Sequence, residues 1–593
     1  MTKEDRMTLK EILLQTEKPA RYSGGEYNTP DMEKPCGVRF CICMPDLYEV
    51  GMSNLGLKIL YHVLNRQENV VCERCFAPAP DFLALLKEND LPLMSLETKK
   101  PLRDFDMVGF SVQYEMLYTG VLYMMEAAGI PFYAKDRDDS YPVICGGGPS
   151  TINPEPLADF FDLFMVGEGE ETIVELTALY AKCKEEGLGK KAFLARAEKI
   201  VGVYVPSLNT PEHRKKVKKA VVADFENCFY PTAQLMPTLE VVHDRAMLEL
   251  YRGCQNGCRF CQAGYYYRPI RFRSEEKVKE LAERLIRETG FDEISLGSLS
   301  TGDYPCLEQL LRDLSPVTEK AHVHLALPSL RLSSFKKEFA ESSRKSSLTF
   351  APEAGTQRLR NVINKNITEE DICEGLSAAF DQGYTGVKLY FMLGLPTETD
   401  EDLMGIVELV RMIRRLFYEK HKGGINISVS CSVFIPKPGT PFQWEAQIPL
   451  EEMRRRQFLL KDELRKVKGA SFHYHDRETS ELEAIFARGD RALAPVILKA
   501  YEKGAIFDSW TEHFRYDIWE EAMKEIGIDK RKYLGEQPLD RPLPWEFIDI
   551  GVSRAFLLRE REKAYCATCT PGCDKGCQGC GAMRFAPCDE VTK

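Results

Sequence analysis

The chain is 593 residues long and carries 79 Lys and Arg against 90 Asp and Glu, a net charge of −11. That balance excludes a mainly electrostatic grip on nucleic acid, while leaving room for a local basic patch. No apolar run approaches the roughly 18 residues needed to cross a bilayer, and the N-terminus mixes Lys, Glu, Asp and Arg without a signal-peptide apolar region, so a soluble, cytoplasmic protein with no membrane contact is expected.

The length prior gives about four domains. Over residues 20–205, short apolar runs at 38–44, 107–112, 143–145 and 163–166 alternate with helical patterns such as 55–64. Strands alternating with helices predict a parallel, doubly wound, Rossmann-like sheet, with ligands beyond the carboxyl ends of its strands. The loops at those ends are Asp46-Leu-Tyr48-Glu-Val-Gly51, Ser111-Val-Gln113, Gly146-Gly147-Gly148 and Gly167-Glu168-Gly169-Glu170. A triple glycine after a strand lets a flat or bulky ligand approach the backbone. It does not match the G-x-G-x-x-G dinucleotide fingerprint, and the acidic 167–171 loop should repel a pyrophosphate.

Together the elements Asp46-x-Tyr48-x-x-Gly51, Ser111-x-Gln113 and Gly146-Gly147-Gly148 resemble the cobalamin-binding domain family. The resemblance implies cobalamin contacts at Asp46, Tyr48, Gly51, Ser111, Gln113, Gly146, Gly147 and Gly148, and Glu168 in the next strand-end loop is a further cofactor-binding candidate. In that family a histidine ligates cobalt where this chain has Tyr48. Cobalamin would then bind with no protein histidine under the metal; the rival reading is a domain that no longer binds it. Residues 206–240 read as a connector, and the basic run from His213 to Lys219 as a solvated loop or hairpin face rather than an RNA contact.

From 241 to 470 strands and helices alternate again, with strands at 247–251, 293–297, 322–327, 347–353, 387–392 and 425–433. Six parallel strands with crossover helices predict a partial (β/α)6 barrel of TIM type. Side-chain parity adds a polar inner face: Ser428, Ser430 and Ser432 alternate with Val429, Cys431 and Val433, Thr349 shares a side with Glu353, and Lys388 with Tyr390. His322 and His324 read as structural or ligand-contacting rather than metal-binding.

Twenty cysteines is a high count, and nine of them fall within 254–261 and 566–588. In a cytosolic chain, clustering points to metal or redox chemistry. Cys41, Cys145 and Cys431 read as small core residues, and Cys72-x2-Cys75 as incidental. Cys254-Gln-Asn-Gly-Cys258-Arg-Phe-Cys261 follows the first barrel strand. Three thiolates at this spacing cannot all pair as disulfides, and this is not the two-plus-two spacing of a zinc finger. They can hold three irons of a [4Fe–4S] cube and leave the fourth open. At the carboxyl end of a barrel strand, such a loop lies where barrel active sites lie.

The three-cysteine motif resembles the signature of radical S-adenosylmethionine (SAM) enzymes. Ala351-Pro-Glu353-Ala-Gly355-Thr, Gly394-Leu-Pro-Thr-Glu-Thr399 and Phe434-Ile-Pro-Lys-Pro-Gly-Thr-Pro-Phe442 resemble segments of the subgroup that carries an N-terminal cobalamin domain. The resemblance implies that SAM chelates the open iron, that one electron cleaves it to methionine and a 5′-deoxyadenosyl radical, and that this radical takes a hydrogen from an unactivated carbon. It implies Phe260 beside the adenine and Glu353 at the SAM amino group or ribose, with Lys388 and Arg252 as lesser candidates for the SAM carboxylate or the substrate. The partner it implies is a low-potential electron donor of flavodoxin or ferredoxin type.

Residues 471–593 read as helices at 480–490, 492–503 and 507–526, with Trp510 and Trp519 as core, followed by a tail holding Cys566, Cys569, Cys573, Cys577, Cys580 and Cys588. The first five are candidate ligands for a structural zinc or a second iron–sulfur cluster. The leading expectation is a cobalamin-dependent radical SAM methyltransferase. Its rivals are modification of RNA or a ribosomal component, a cobalamin-dependent rearrangement or cyclisation, and a non-catalytic iron–sulfur carrier or sensor.

Overall fold

In the computed structural model, which describes residues 7–326 and 348–589, the apolar run Val38–Met44 forms β1 near the centre of a six-stranded sheet. Val70–Phe76 (β2), Met107–Ser111 (β3), Val143–Gly147 (β4), Leu163–Met165 (β5) and Val203–Tyr204 (β6) complete it in the order β2-β1-β3-β4-β5-β6. The first five run parallel and β6 lies antiparallel to β5. Helices such as Leu55–Asn65 and Gly169–Glu185 connect the strands, which gives the expected Rossmann-like architecture. The chain turns one way from β1 to β2 and the other way to β3, and the crevice at such a reversal is where these sheets hold ligands.

Sequence patterning missed β2. Glu73 and Arg74 interrupt its apolar run, yet both are fully buried. Glu73 accepts hydrogen bonds from Ser95 and Thr98, and Arg74 pairs with Glu26 at 3.0 Å and Glu97 at 2.7 Å. Cys72 and Cys75 sit in this strand as buried core residues three positions apart, on opposite faces, which excludes a redox pair.

Val217–Lys218 (β7) lies in the connector. The first barrel strand is split: Ala246–Glu249 (β8) is followed by the short Tyr251–Arg252 (β9), which pairs antiparallel with Arg271–Phe272 (β10). The hairpin β9–β10 therefore encloses the three-cysteine loop. Glu293–Gly297 (β11) and His324–Ala326 (β12) join β8 in one parallel sheet, β12-β11-β8. Leu348–Glu353 (β13), Gly386–Leu393 (β14), Asn426–Val433 (β15) and Ala470–Tyr474 (β16) form a second parallel sheet in chain order. The expected strands at 322–327 and 347–353 meet these as β12 and β13; their ends at Leu327 and Ser347 lie outside the described residues. His322 is not in a strand but caps the preceding helix with φ +57°. β16 is an addition to the expected six.

The polar inner face is present. Thr349, Lys388, Ser428 and Ser471 stand in register across β13–β16, and Tyr390, Ser430 and His473 form the next row. On β15 the intervening Ile427, Val429, Cys431 and Val433 are buried under the helices. Ile548–Asp549 (β17) pairs with β7. That pairing and three further contacts take up most of the basic run. Arg214 is paired with Glu155, Lys215 with Glu198, and Lys219 is buried with its ammonium on the Tyr266 and Arg268 carbonyls.

One hydrophobic core runs through the N-terminal sheet, β8, β11 and the helices of the C-terminal region. Trp519 is wholly buried in it, with Nε1 donating to Asp508 at 3.0 Å, as a core reading requires.

Candidate active site

The cysteine loop leaves β9 at Gly253, where φ is +88° and an added Cβ would stand 2.9 Å from the Pro269 carbonyl and 3.1 Å from that of Tyr267. Only glycine passes this point without strain. Cys261 caps the helix Gln262–Tyr266, its Sγ accepting from the Gly264 amide at 3.4 Å. Asn256 donates to Cys254 Sγ at 3.7 Å and to Asp303 at 2.7 Å. Such N–H···S contacts favour a thiolate. Burial, then the adjacent Cys258 and Cys254, push the Cys261 thiol up to about 12, a preference that coordination to a metal reverses. Among the described residues no three side chains converge as for a single ion. A cube, with each thiolate on its own iron, asks for a wider triangle, and three loop cysteines, two of them with N–H support, suit that demand.

The loop is held from behind. The Arg259 amide bonds the Ile363 carbonyl at 2.9 Å, and the wholly buried Arg259 guanidinium bonds the carbonyls of Asn361, Val362 and Thr568 and pairs with Glu560 at 3.1 Å. Asn364 donates to the Gly257 carbonyl at 3.0 Å. Phe260 is half-buried and packs against the apolar cluster that contains Leu359, Val362, Met392 and Phe442.

Glu353 stands at the carboxyl end of β13, where parity alone does not decide its direction. A β-bulge interrupts the pairing between Phe350 and Glu353, and Glu353 takes φ +66°. Bulges of this kind re-aim a side chain beside a site. Its carboxylate meets Lys365 at 3.2 Å, and the Lys365 charge reaches the Cys261 thiol. Glu353, Lys365 and the cysteine loop thus form one cluster at the barrel rim.

Two candidates lie elsewhere. Lys388 is at the amino end of β14, stacked over Tyr390 at 5.0 Å and lining a separate cavity with Asn426, Ser428 and Ser471. Five residues of strand, about 17 Å, separate it from the rim. Arg252 is spent on three carboxylates: Glu249 at 3.0 Å, Glu170 at 2.6 Å and Glu168 at 3.4 Å.

A cleft of about 460 Å3 joins the two sheets. One wall is the carboxyl edge of the N-terminal sheet, with Ser111, Gln113, Gly147, Gly148, Gly167 and Glu168. The other comes from the barrel rim: Glu249, Tyr251, Gly253, Tyr267, Gly297 and Ser298. A slot between Phe40, Ile42 and Gly109 on the sheet and Ile59, Leu60 and Ile173 on the helices deepens it. A Cβ on Gly147 would meet only the Met165 methyl, at 3.9 Å, so the glycine leaves open space. Gln113 donates to Ser111 at 2.7 Å.

Glu168 does not act as the free acid expected of that loop. It accepts from Arg271 at 2.7 and 2.5 Å and from the Val222 amide at 2.7 Å. Burial works to raise its pKa, but Arg271 and Arg252 outweigh it and hold the carboxyl below its usual range. The expected repulsion of anions by the 167–171 loop is therefore largely cancelled.

Four candidates are not in the cleft. Asp46 is buried and accepts from Trp510 Nε1 at 2.9 Å. Tyr48 is 1% exposed, packs against Phe76 and donates to Glu26 at 3.0 Å. A Cβ on Gly51 would strike the Phe76 ring, and one on Gly146 the Phe164 ring. No histidine lines the cleft among the described residues. Lys365, Asn364 and Arg271 were missed; each acts through a contact distant in sequence and carries no local motif.

Residues 56–206 match the family model for the N-terminal domain of radical SAM proteins, and residues 248–410 that of the radical SAM superfamily. The chain therefore carries a radical SAM domain on the residues that build the three-cysteine loop and strands β8–β14. An uncharacterized protein of Methanocaldococcus jannaschii is 27% identical over 486 residues, spanning 80% of this chain and 96% of its own length. The tRNA-2-methylthio-N(6)-dimethylallyladenosine synthase of Carboxydothermus hydrogenoformans is 24% identical over 259 residues, 41% of this chain and 55% of the relative. Among solved structures, the radical SAM methyltransferase TsrM from Kitasatospora setae, with cobalamin and a [4Fe-4S] cluster bound, is 15% identical at a TM-score of 0.46, covering 66% of this chain and 72% of its own. The cobalamin-dependent SAM radical enzyme OxsB, with aqua-cobalamin and SAM bound, is 13% identical at a TM-score of 0.47, covering 89% and 79%.

Proposed function

We propose that this protein is a radical SAM enzyme that uses cobalamin as a methyl carrier to methylate an unactivated carbon. The observation that carries the proposal is the cleft shared between the carboxyl edge of the Rossmann-like sheet and the barrel rim beside the three-cysteine loop. When bound, a cluster on Cys254, Cys258 and Cys261 would offer SAM an open iron and an electron, and cobalamin in the cleft would carry the methyl group.

The chain's own residues supply position and shielding. Gly147 lets a broad ring lie against the backbone, Gly148 is needed at φ +102°, where an added Cβ would stand 2.6 Å from the Val112 carbonyl, and Ser111 and Gln113 offer hydrogen bonds to amide groups at the ring's edge. Glu353, turned by its bulge and set against Lys365, can accept from the amino group or ribose of SAM. Phe260 offers an apolar face for the adenine. Asp46 and Tyr48 brace the loop after β1 from within the protein, and the described residues of the cleft would offer cobalt no imidazole.

Anaerobic reconstitution with SAM and dithionite tests the first half: 5′-deoxyadenosine should form above the level of a Cys258→Ala control, and its failure to do so overturns the enzyme reading. For the second half, the visible spectrum of protein desalted after incubation with hydroxocobalamin should show retained cobalamin. Gly147→Phe, which fills the cleft, should abolish it; equal retention by both proteins rejects the cleft as the site.

A second reading, modification of RNA or a ribosomal component, is favoured by relatives whose names specify tRNA and ribosomal protein uS12 as substrates. The net charge of −11 and the pairing of Arg214, Lys215 and Lys219 count against it. Mass comparison of RNA and small metabolites from wild-type and deletion strains separates the two.

A further inference from the structure

The six tail cysteines fall into two groups. Cys569 lies beside Arg259, and Cys566 ends the helix Arg554–Tyr565. Thr570 then anchors the chain: it is 3% exposed, its amide bonds Asn364 at 2.7 Å and its hydroxyl bonds Glu560 at 2.8 Å. Beyond this anchor Cys573 is close enough to Cys577, Cys580 and Cys588 to feel their charge, and Cys588 to feel that of Cys577 and Cys580. Cys573-Asp-Lys-Gly-Cys577-Gln-Gly-Cys580 repeats the C-x-x-G-C-x-x-C pattern of the radical loop, with Cys588 added as a fourth. Gly576, Gly579 and Gly581 take φ of +112°, +70° and +100°, which wraps the segment tightly, and the Gly579 amide donates to Cys577 Sγ at 3.4 Å.

This second turn is docked on the first. The Cys573 amide donates to the Gln255 carbonyl at 2.9 Å, between Cys254 and Cys258. The Asp589 amide bonds the Ile270 carbonyl at 3.0 Å, and its carboxylate takes the Phe272 amide at 2.7 Å, which closes the segment onto the hairpin β9–β10.

Arg268 lies between the two turns. It is 4% exposed; Nε donates to the Gly264 carbonyl at 3.0 Å and Nη2 to the Asn256 carbonyl at 3.2 Å, both in the radical loop. Its Nη1 is buried without a hydrogen-bond acceptor, and among the described residues Arg268 is in no ion pair with a carboxylate. The groups around it that favour its charge are Tyr265, whose ring it covers at 5.0 Å, and then the sulfurs of Cys580, Cys573 and Cys588. A buried guanidinium without an anion is costly. Four thiolates on a cube carry the negative charge that would satisfy it.

We propose that Cys573, Cys577, Cys580 and Cys588 bind a second [4Fe–4S] cluster, with a protein thiolate on every iron, against the back of the radical-SAM loop. Because no iron is left open, this cluster has the chemistry of an electron carrier and not of a SAM chelator. Cys566 and Cys569 are not ligands. The proposal does not rest on cobalamin or on methyl transfer.

Iron and acid-labile sulfide are measured on the full chain after anaerobic reconstitution, with zinc measured alongside. Wild type should hold about eight irons, and the variant Cys254→Ala/Cys258→Ala/Cys261→Ala about four, with a dithionite-reduced paramagnetic signal that SAM leaves unchanged. Cys573→Ala/Cys577→Ala/Cys580→Ala should hold about four irons with a SAM-sensitive signal, and Cys566→Ala/Cys569→Ala about eight. Should the tail variant fail to fold, the radical-loop variant decides alone. Background iron in that variant, zinc in its place, or loss of iron on changing Cys566 and Cys569 overturns the assignment. The radical-loop variant cleaves no SAM whatever the enzyme's substrate, so its iron content is read independently of the proposed function.

Discussion

Glu168 receives two hydrogen bonds from Arg271 and one from the Val222 amide, with Arg252 at 3.4 Å, all at the floor of the cleft. Removing its charge leaves the Arg271 guanidinium buried without a carboxylate, a loss of about 3 kcal/mol by comparison with other broken buried pairs. Glu168→Gln should therefore lower the denaturation midpoint clearly at neutral pH. The sign of the pH dependence follows from the depressed carboxyl: its contribution is complete above the unfolded carboxylate pKa and is lost as pH falls through the lower folded value. Wild type and Glu168→Gln should thus converge in stability toward strong acid; a gap that stays constant to that limit would assign the loss to packing instead. At this scale the sequence marked Cys254, Cys258, Cys261, Glu353 and the glycines of the cleft through spacing and loop position. It could not show that Glu168 is neutralised, because Arg252 and Arg271 approach it from another domain. Nor could it show that Tyr48 is buried against Phe76 and Glu26, since the family pattern carries no information on which side of a short helix faces the ligand.

Among the elements, β1, β3, β4 and β5 were legible because a strand buried on both faces reads as an apolar run. β2 was hidden by Glu73 and Arg74, whose partners Ser95, Thr98, Glu26 and Glu97 all lie elsewhere in the chain. β16 reads Ala-Ser-Phe-His-Tyr, mostly exposed at the edge of its sheet, and gives no apolar signal. β13 shows where parity stops working: one extra residue between Phe350 and Glu353 breaks the alternation on which the inner-face assignment of Glu353 depended. The bulge nevertheless delivers Glu353 to the rim with Lys365 and Cys261. Glu353→Gln keeps the shape and removes the charge. If the carboxylate holds a cationic or hydroxyl group of SAM, the KM for SAM should rise roughly 10-fold or more, with the iron content of the reconstituted protein unchanged. A normal KM with lost iron would instead make Glu353 a support for the loop.

At the scale of the molecule, the regions are tied by buried charge as well as by the shared core. Lys437, in the segment after β15, bridges Glu115 of the N-terminal domain and Glu483 of the C-terminal helices, each at 2.7 Å. Arg491 reaches back to Glu155 at 3.2 Å and to Tyr204 at 2.6 Å, and Asn153 bonds the carbonyls of Ala487 and Gly489, which gives the 487–491 segment a stapling role. The same logic extends to the tail, which backs the radical loop through the Thr568 carbonyl on Arg259, the Thr570 amide on Asn364 and the Cys573 amide on Gln255. Both Arg259 and Asn364 in turn position the Cys254–Cys261 turn. Cutting the chain after Tyr565 removes all three contacts; Arg259 keeps Glu560, while the buried Asn364 Oδ1 loses its donor at a cost of about 1–3 kcal/mol. The shortened protein should therefore make less 5′-deoxyadenosine from SAM and dithionite than wild type, and should lose iron from the radical loop faster on exposure to a chelator. Cys566→Ala/Cys569→Ala, which leaves the three contacts in place, should match wild type in both measurements. Wild-type rates from the shortened chain would show that the loop holds its geometry without the tail, and would reduce the docking of the two cysteine turns to a packing contact.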